Sequence, residues 1–376
     1  MPSVDNVLVV GAGLAGTATA ILLAREGVAV DLIEVKPDVA AIGSGITLQG
    51  NALRELRHLG VWERARAAGF CFDFLGMRAP DAAGTLLVEV RDVRSGGPDL
   101  PATMGMPRPT LARILLDQAA VAGVKSRFGV TATRLEQDTT GVDVTLTDGS
   151  SRRYDLVVGA DGVRSAIRRM VGIEIGPRPT GMGIWRAFGP RPASVTHSDL
   201  FFGGPCHIAG YTPTGEDSLY AFIVEDVQDH SELDPERRLA EMRRLAADYH
   251  GPWDEIRSTL DDPSRVNYTR FETHVLPAPW NRGRVVLIGD AAHSCPPTLA
   301  QGGAQALEDA TVLAELLLTN DVLDDSLWDA FSARRHDRVK TVVEASNQLG
   351  QWLLDHEQGD VAGLVRRIGD LVSHPA

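Results

Sequence analysis

The chain has 376 residues of ordinary globular composition, 44% hydrophobic and 23% charged, which is more than one typical domain and favours a two-lobed α/β enzyme. Its formal net charge is −13, and the sequence lacks the clusters of basic residues that nucleic-acid-binding surfaces need. Nucleic-acid binding is therefore excluded as its function. No run approaches the roughly 18 apolar residues of a membrane span, and three scattered cysteines (Cys71, Cys206 and Cys295) lack metal-ligand spacing. We therefore expect a cytoplasmic protein with neither a membrane span nor a metal site.

A glycine-rich turn lies close to the N-terminus. Apolar runs predict a strand, a helix and a second strand at residues 7–10, 17–26 and 28–34. Gly11, Gly13 and Gly16 fall between the first strand and the helix, and Glu34 ends the second strand close to the expected spacing of about 20 residues. Gly11 permits the tight turn, Gly13 lets a pyrophosphate approach the helix, and Gly16 allows close packing. The pattern predicts a dinucleotide site in which Glu34 binds ribose hydroxyls.

The next part of the chain alternates between helices and strands. A helix is predicted at residues 47–59, with Asn51 as its N-cap, and another at 109–122, with Arg108 just before it. The predicted strands lie at residues 75–78, 86–90, 130–135, 142–146, 151–154 and 156–160. Asp161 follows the last of these strands, where its carboxylate can cap the coming helix.

Residues 172–268 differ from the nucleotide-binding part because aromatic residues collect in short alternating strands. This pattern predicts an antiparallel sheet that forms one wall of a pocket, with a helix at residues 235–249. His207 and Tyr220 lie on these predicted strands.

A second binding motif follows at VVLIGDAAHSCPPTLAQGG. Residues 285–288 predict a buried strand, and Asp290 follows where a strand-end carboxylate can meet a hydroxylated ligand. Pro297 belongs to a stiff turn, and Gly302 and Gly303 begin a helix whose bare N-terminus can approach negative charge. Two further helices are predicted at residues 326–354 and 361–372.

Together, the GAGLAG, Asp161-Gly162 and GDAAHSCPPTLAQGG segments resemble the motifs of class A FAD-dependent aromatic hydroxylases, such as salicylate, p-hydroxybenzoate and urate hydroxylases. The resemblance implies that Asp290 contacts the ribityl chain, that Pro297 lies beside the reacting flavin edge, and that Gly302 and Gly303 meet the flavin pyrimidine. Arg108 and Asp161 are implied at the FAD pyrophosphate or ribose. Residues 43–46 resemble the family segment beside the isoalloxazine.

The resemblance also implies the fold class: an α/β protein whose Rossmann-like FAD-binding domain carries an inserted antiparallel β-sheet substrate domain and C-terminal helices, as in p-hydroxybenzoate hydroxylase. We expect the FAD-binding domain at residues 1–72, 102–172 and 269–345. The substrate-binding sheet domain is expected at residues 73–101 and 173–268, and a C-terminal helical segment at residues 346–376.

The expected activity is hydroxylation of a small phenolic or hydroxylated heteroaromatic substrate by O₂ through a flavin hydroperoxide. Only one dinucleotide fingerprint is present in the sequence, so NADH or NADPH is expected to bind transiently. NAD in the N-terminal site is the alternative, and it leaves Asp290 and the Gly302-Gly303 helix start unexplained. A monomer or a homodimer fits the sequence equally well.

Substrate contacts are expected on the pocket sheet, because a base or relay should reach the phenolic hydroxyl. His207 and Tyr220 fall where short family members resembling urate hydroxylase place substrate-contacting residues, although the first of these positions is there an arginine. A structural histidine and a core tyrosine remain open alternatives. Arg186 could bind a carboxylate, but a solvent-facing position is favoured.

Three rival functions remain. A flavin-dependent reductase or a halogenase could share the fold, and a non-catalytic protein could bind flavin. Residues 185–190, WRAFGP, do not match the WxWxIP signature of halogenases.

Overall fold

The computed structural model describes residues 2–38 and 45–376. Its α-helices are α1 Leu14–Arg25, α2 Gly50–His58, α3 Trp62–Ala68, α4 Arg108–Val121, α5 Ala166–Met170, α6 Pro235–Leu245, α7 Pro252–Ser258, α8 Gly302–Thr319, α9 Asp325–Leu354 and α10 Val361–Ser373. Its strands are β1 Asn6–Val10, β2 Ala29–Glu34, β3 Gly45–Gln49, β4 Phe70–Phe72, β5 Phe74–Arg78, β6 Leu86–Arg91, β7 Thr103–Pro107, β8 Lys125–Phe128, β9 Ala132–Gln137, β10 Val142–Leu146, β11 Ser151–Tyr154, β12 Leu156–Gly159, β13 Arg178–Pro190, β14 Ser198–Phe202, β15 Ile208–Pro213, β16 Ser218–Asp226, β17 Val266–Val275, β18 Asn281–Arg282, β19 Val285–Leu287 and β20 His293–Ser294. Of the helices in these described ranges, none is both long and apolar enough to cross a membrane.

The N-terminal sheet has the order β18-β19-β12-β1-β2-β8, and all its neighbours except β18 and β19 are parallel. Strands β1, β12 and β19 are apolar runs that are almost entirely buried, as expected for a parallel sheet covered on both faces. Each of these three strands is followed by one of the predicted motifs. Ligands of open α/β sheets bind outside the carboxyl ends of strands, so the topology brings the three motifs to one edge.

The second large sheet has eight strands in the order β20-β17-β13-β16-β15-β14-β5-β6. Alternation along β13 gives the sheet two different faces. Trp185 and Ala187 point toward α6 and α7 and belong to one buried core. Ile184 belongs to an apolar cluster on the opposite face, where Leu353 and Leu354 of α9 also pack. Arg186 alternates with Trp185, so it lies on the face of Ile184.

The predicted helix at residues 47–59 is wrong in its first turn. Residues 45–49 form β3, which pairs antiparallel with β7, a strand that the local pattern did not reveal. The helix begins at Gly50 with Gln49 as its N-cap, so the predicted capping role of Asn51 is wrong as well. Pairing with a distant segment overrode the local helical pattern.

Most other predicted elements are present, including the hairpin of β10 and β11 and the two C-terminal helices. The predicted domain division remains a prediction. Two of its boundaries fall inside continuous elements, because residues 268 and 269 both belong to β17, and residues 345 and 346 both belong to α9.

Candidate active site

The glycine turn after β1 has little freedom at two of its three glycines. Gly11 has a φ of +108°, a conformation that favours glycine, and a methyl group there would collide with the carbonyl oxygen of Ala160. A methyl group at Gly16 would collide with the carbonyl oxygen of Gly11. A methyl group at Gly13 would meet nothing within 4 Å, so Gly13 borders open space. Gly11 and Gly16 therefore serve the chain's own packing, and Gly13 leaves room for a ligand.

Glu34 lies at the carboxyl end of β2 and holds the same turn. Its Oε2 accepts a hydrogen bond of 2.9 Å from the Ala12 N–H, and its Oε1 accepts one of 3.0 Å from the Lys36 N–H. Gly13, Glu34 and Arg108 line an open cleft of about 220 Å³. The cleft therefore combines an acid, a cation and the N-terminus of α1.

Asp290 follows β19 in a turn that begins at Gly289, which has a φ of +55°. The Asp290 side chain is open to solvent, yet protein surrounds it on several sides. This partial dehydration raises the pKa of Asp290, while the positive charges of His293 and Arg108 oppose the rise. The carboxylate is thus free to accept hydrogen bonds from a bound molecule.

The turn from Pro297 to Gly303 lies beside Asp290. Pro297 is exposed, and Ala300 adopts a left-handed conformation with a φ of 52°. A methyl group at Gly302 would meet only the Cys295 sulfur at 4.0 Å, whereas one at Gly303 would lie 3.2 Å from Leu14. The N-terminus of α8 therefore has an open side at Gly302, and Gly303 packs closely on α1.

Behind this turn, two acids of α8 are buried among cations. Arg335 of α9 is fully buried and donates hydrogen bonds of 2.7 Å to Asp309 and 2.8 Å to Glu308. Asp309 also accepts hydrogen bonds from the Gly289 N–H and from His293. Burial by itself raises the pKa of Asp309, but the charges of His293 and Arg335 outweigh burial and hold it below its usual range. Glu308 behaves likewise beside Arg335 and Arg338.

The same network extends to the residue before the glycine pair. Asn51, which is fully buried, donates hydrogen bonds of 3.0 Å to Glu308 and to Gln301. Gln301 is the N-cap residue of α8 and also bonds Gln49 and Gln305. Asn51 therefore helps to set the position of the Gly302-Gly303 helix start.

Asp161 caps the short helix α5. Its carboxylate accepts hydrogen bonds from the Ser165 hydroxyl at 2.5 Å and from the Ala166 N–H at 2.7 Å. Arg168 on the same helix donates to the carbonyl of Ala291 at 2.9 Å. The motif after β12 is thus bonded directly to the motif that carries Asp290.

Across from these loops, the eight-stranded sheet presents a polar pair. The Arg186 Nε donates a 3.0 Å hydrogen bond to the Tyr220 hydroxyl, and its Nη1 bonds the Thr269 hydroxyl. Arg186 is half-buried on this face, so the expected solvent-facing position is met only in part. Arg108 reaches solvent, yet the protein around it lowers its pKa; the charge of Arg186 lowers this pKa further, and Tyr220 and Asp290 oppose the shift. These four side chains therefore lie near one another, and the region that they border between the cofactor motifs and the sheet is called here the central recess.

A family model described as FAD binding domain matches residues 5–346. The chain belongs to the class A FAD-dependent aromatic hydroxylases. It is 32% identical over 357 residues to the aurachin C monooxygenase/isomerase of Stigmatella aurantiaca, covering 92% of this chain and 90% of that protein. It is 30% identical over 357 residues to the FAD-dependent urate hydroxylase of Klebsiella pneumoniae, covering 90% and 88%. The crystal structure of Klebsiella pneumoniae HpxO complexed with FAD and uric acid superposes with a TM-score of 0.83 at 25% identity, covering 98% of this chain and 97% of that one.

The expected family, fold class, FAD cofactor and monooxygenase activity are therefore confirmed. The described residues of the hydroxylase also fit FAD on physical grounds. Gly13 leaves space at a helix N-terminus, and Arg108 faces the cleft. Glu34 ends β2 and Asp290 follows β19, so both acids lie at the carboxyl edge of the same parallel sheet. Gly43 and Ser44, expected beside the flavin ring, lie outside the described residues. Their neighbour Gly45 packs against Tyr220, because a methyl group there would lie 2.6 Å from the tyrosine Cβ.

His207 is not close to Tyr220 in this hydroxylase. Thr212 is the cross-strand partner of Tyr220, and His207 precedes Thr212 by five residues, or roughly 16 Å at about 3.3 Å per residue. The His207 Nε2 lies 3.0 Å from an Asp226 carboxylate oxygen, and its ring is 5.8 Å from that of His356. The structure therefore separates the two expected substrate contacts along the sheet.

Sequence reasoning missed three residues that shape the site: Asn51 as a support, Arg186 as part of the recess, and Arg335 as the cation behind α8. One signal was available, because Glu308 and Asp309 interrupt the apolar face of a helix, and buried acids need cations. The arginines of the helix from residue 326 could have supplied them. No comparable local signal distinguished Arg186 from a surface arginine.

Proposed function

We propose that this hydroxylase uses NADH or NADPH and O₂ to hydroxylate a small phenolic or hydroxylated heteroaromatic ring that binds in the central recess. The observation that carries the proposal is the Arg186–Tyr220 hydrogen bond of 3.0 Å. This pair lies on the sheet face that is turned toward the cofactor motifs. It provides a cation and a hydroxyl on the face that also carries the Ile184 cluster. That combination suits an aromatic ring with one ionisable oxygen.

For the cofactor, we propose that Glu34 and Arg108 hold the adenosine and pyrophosphate end of FAD, with Gly11, Gly13 and Gly16 shaping the turn. Asp161 would contribute at the pyrophosphate through the helix that it caps. Asp290 would accept hydrogen bonds from the ribityl hydroxyls, and Gly302 and Gly303 would receive the flavin ring. Pro297 would border the reacting edge. When bound, reduced flavin supplies the activation of O₂, and the protein supplies binding, orientation and electrostatics.

The recess residues have a defined task in this proposal. Tyr220 accepts a hydrogen bond from Arg186, so its own O–H is free to donate to a substrate oxygen. A substrate that binds with this oxygen already ionised would have its negative charge stabilised by the Tyr220 O–H and by the Arg186 charge. A ring whose hydroxyl is ionised is more nucleophilic, which is what oxygen transfer to carbon requires. The partly buried side chains around Phe222 restrict water at the ring.

His207 would contact the substrate only if the substrate reached roughly 16 Å from Tyr220 along the sheet. A ring with a long extension meets this requirement, and a single ring does not. The proposed role of His207 is therefore tied to substrate length.

The test is anaerobic stopped-flow reduction of the FAD-loaded enzyme by NADH and NADPH, with and without a panel of phenols, aminobenzoates, hydroxypyridines and multi-ring phenols. We expect a productive substrate to speed flavin reduction at least tenfold, which needs about 1.4 kcal/mol of differential binding. Equal rates with and without every ligand would contradict the proposal.

Product analysis after adding O₂ separates the rivals. A reductase gives a saturated product without O₂, a halogenase requires halide, and a non-catalytic flavin protein gives no ligand-stimulated turnover. A hydroxylated product with one added oxygen supports the proposal.

A further inference from the structure

The outer edge of the eight-stranded sheet is unusually apolar. Strand β6 is hydrogen-bonded on one side to β5, and in the described part of the chain no strand pairs with its other side. All six β6 residues are exposed. The exposed apolar side chains at this edge are Phe74 (41%), Leu86 (42%), Leu87 (66%), Val88 (43%), Val90 (38%) and Val93 (45%).

Exposed edge strands are normally protected by prolines, bulges or a cover, because their free N–H and C=O groups can pair with another chain. The β6 sequence LLVEVR contains no proline, and its bulge is at Leu87, because Val88 pairs with Met77 and Leu86 pairs with Arg78. The Asp92 N–H donates a 2.8 Å hydrogen bond to the carbonyl of Asp73, the residue just before β5. Because backbone direction alternates along a strand, Arg91 and Glu89 direct their N–H and C=O groups to the free edge.

We propose that β6 pairs antiparallel with β6 of a second copy of this chain, about a twofold axis that passes through Val90. This register places Glu89 opposite Arg91 twice and Leu87 opposite Val93 twice. It also places Val88 opposite Asp92, whose carboxylate already accepts hydrogen bonds from the Val93 N–H and the Thr103 hydroxyl. The outward backbone groups of Glu89 and Arg91 then form the hydrogen-bonded pairs. Opposite charges directly across a strand pair are stabilising.

Neighbouring registers are less favourable. A twofold axis at Glu89 would place two carboxylates opposite each other, and an axis at Val88 would place Leu87 opposite Glu89. Like charges directly opposite are destabilising, and a carboxylate against leucine loses hydration without gaining a partner. The charge pattern of β6 therefore selects both the partner, an identical strand, and the register.

The apolar patch extends beyond β6. Joining the two edges would give a continuous sheet of sixteen strands, and Val365 on α10 extends the patch beside Val93, because Gly369 lies one turn away and packs on Val93. A specific dimer through this edge has to bury at least about 1,000 Å² in total, the smallest size expected of a biological interface. A lipid surface fits less well, because the central Glu89 and Arg91 would have to leave water without partners.

The test is sedimentation velocity of the FAD-loaded enzyme over a concentration series. We expect the parent to dimerise, and Glu89→Arg or Arg91→Glu alone to weaken the dimer at least about tenfold, because each creates like-charge pairs. The double variant Glu89→Arg/Arg91→Glu should restore the parental dimer. Restoration is specific to this register, since only here do the two positions face each other.

Two controls keep the test clear. Glu89 lies 3.5 Å from His197, so the Arg91→Glu variant tests the interface without disturbing that contact. Leu87→Lys should give a monomer, whereas Val121→Lys, at a position on α4 that is 79% exposed, should leave the dimer unchanged. The FAD absorbance of each variant reports whether it is folded.

Three results would overturn the proposal. These are a parent that is monomeric at every concentration, a double charge reversal that stays weakened, and a monomer that sediments with phosphatidylcholine–phosphatidylglycerol vesicles through this edge. None of them bears on the proposed hydroxylation.

Discussion

The two sides of the central recess are supported in different ways. On the cofactor side, Glu308, Asp309 and Arg335 are buried ion partners connected to the turns around Gly289 and Gln301. On the sheet side, Arg186 is half-buried and bonded to two neutral hydroxyls. The cofactor side is thus rigidly determined by charges within the protein, while the sheet side keeps hydrogen-bonding capacity for a ligand.

This difference has a physical cause. A buried charge is costly unless its partners remain in place, so loss of one partner affects the whole network. A partly exposed arginine such as Arg186 can exchange its hydrogen-bond partners with water or substrate at small cost. Changes on the cofactor side should therefore reduce stability and FAD binding, and changes on the sheet side should alter turnover.

The largest effect is expected for Arg335→Met. It leaves Glu308 and Asp309 buried without their shared cation, so the free energy of unfolding should fall by about 3–5 kcal/mol. Denaturant unfolding followed by circular dichroism measures it. Arg334→Met is the matched control, because the neighbouring arginine is 31% exposed and pairs with the 51% exposed Glu315. The control should lose less than about 1 kcal/mol, and equal losses in the two variants would contradict the comparison.

Acid should weaken the cofactor side next. Burial, with the charges of Arg168 and His293, lowers the pKa of His274 from 6.5 to about 4. His274 is therefore neutral when folded but charged when unfolded below pH 6.5, so its contribution is full above that pH and is lost as pH falls through 4. Between pH 6.5 and pH 4, this difference in protonation lowers the free energy of unfolding by at most roughly 3 kcal/mol. His274→Gln should flatten the stability curve over this range, and an unchanged slope would refute the assignment.

At lower pH the buried carboxylates should add a second decline. The depressed pKa values of Glu308 and Asp309 mean that their stabilisation is present above the ordinary carboxyl range and is lost as pH falls below it.

Asp290→Ala should weaken FAD binding by roughly 1–3 kcal/mol, because it removes a hydrogen-bond acceptor from the proposed ribityl site. Flavin fluorescence on dilution measures the change. Asp290→Asn keeps one acceptor oxygen and should lose less. If both variants retained FAD like the parent, Asp290 would not contact the cofactor.

On the sheet side, Arg186→Met and Tyr220→Phe should raise KM or lower coupled hydroxylation about tenfold, corresponding to roughly 1.4 kcal/mol, without changing FAD affinity. His207→Ala is the control at a distance and should leave turnover of a single-ring substrate unchanged. A loss of FAD affinity in the Arg186 variant would show that the two sides are not independent.

The smallest effect is expected for Ala300→Gly. Ala300 has a φ of 52°, which costs a side chain roughly 1 kcal/mol, and glycine removes that cost while it adds freedom to the unfolded chain. The free energy of unfolding should rise by less than about 1 kcal/mol in thermal denaturation. A fall would show that the Ala300 methyl group packs favourably.

Features of the site that depend on neighbouring residues were predictable from the sequence, and features that depend on distant pairing were not. Gly11 and Gly16 were interpretable from the sequence because their role is local: backbone turns and close packing admit no side chain there. The initial turn of the helix predicted at residues 47–59 was wrong because β3 is formed by pairing with β7, more than fifty residues away. Asn51 consequently supports Gln301 and Glu308 instead of capping a helix.

The sequence by itself determined the strand–glycine–helix turn, the strand-end acids and, through the family motifs, the FAD cofactor, because each depends on neighbouring residues and a fixed spacing. Only the tertiary structure decided that Arg186 faces Tyr220, that His207 lies far from it, and that Arg335 neutralises the acids of α8. These relations involve residues separated by 13 or more positions, and side-chain direction on a strand depends on which face the rest of the chain covers. Local sequence patterns do not show which face of a strand will be covered, because that depends on how the sheets and helices pack.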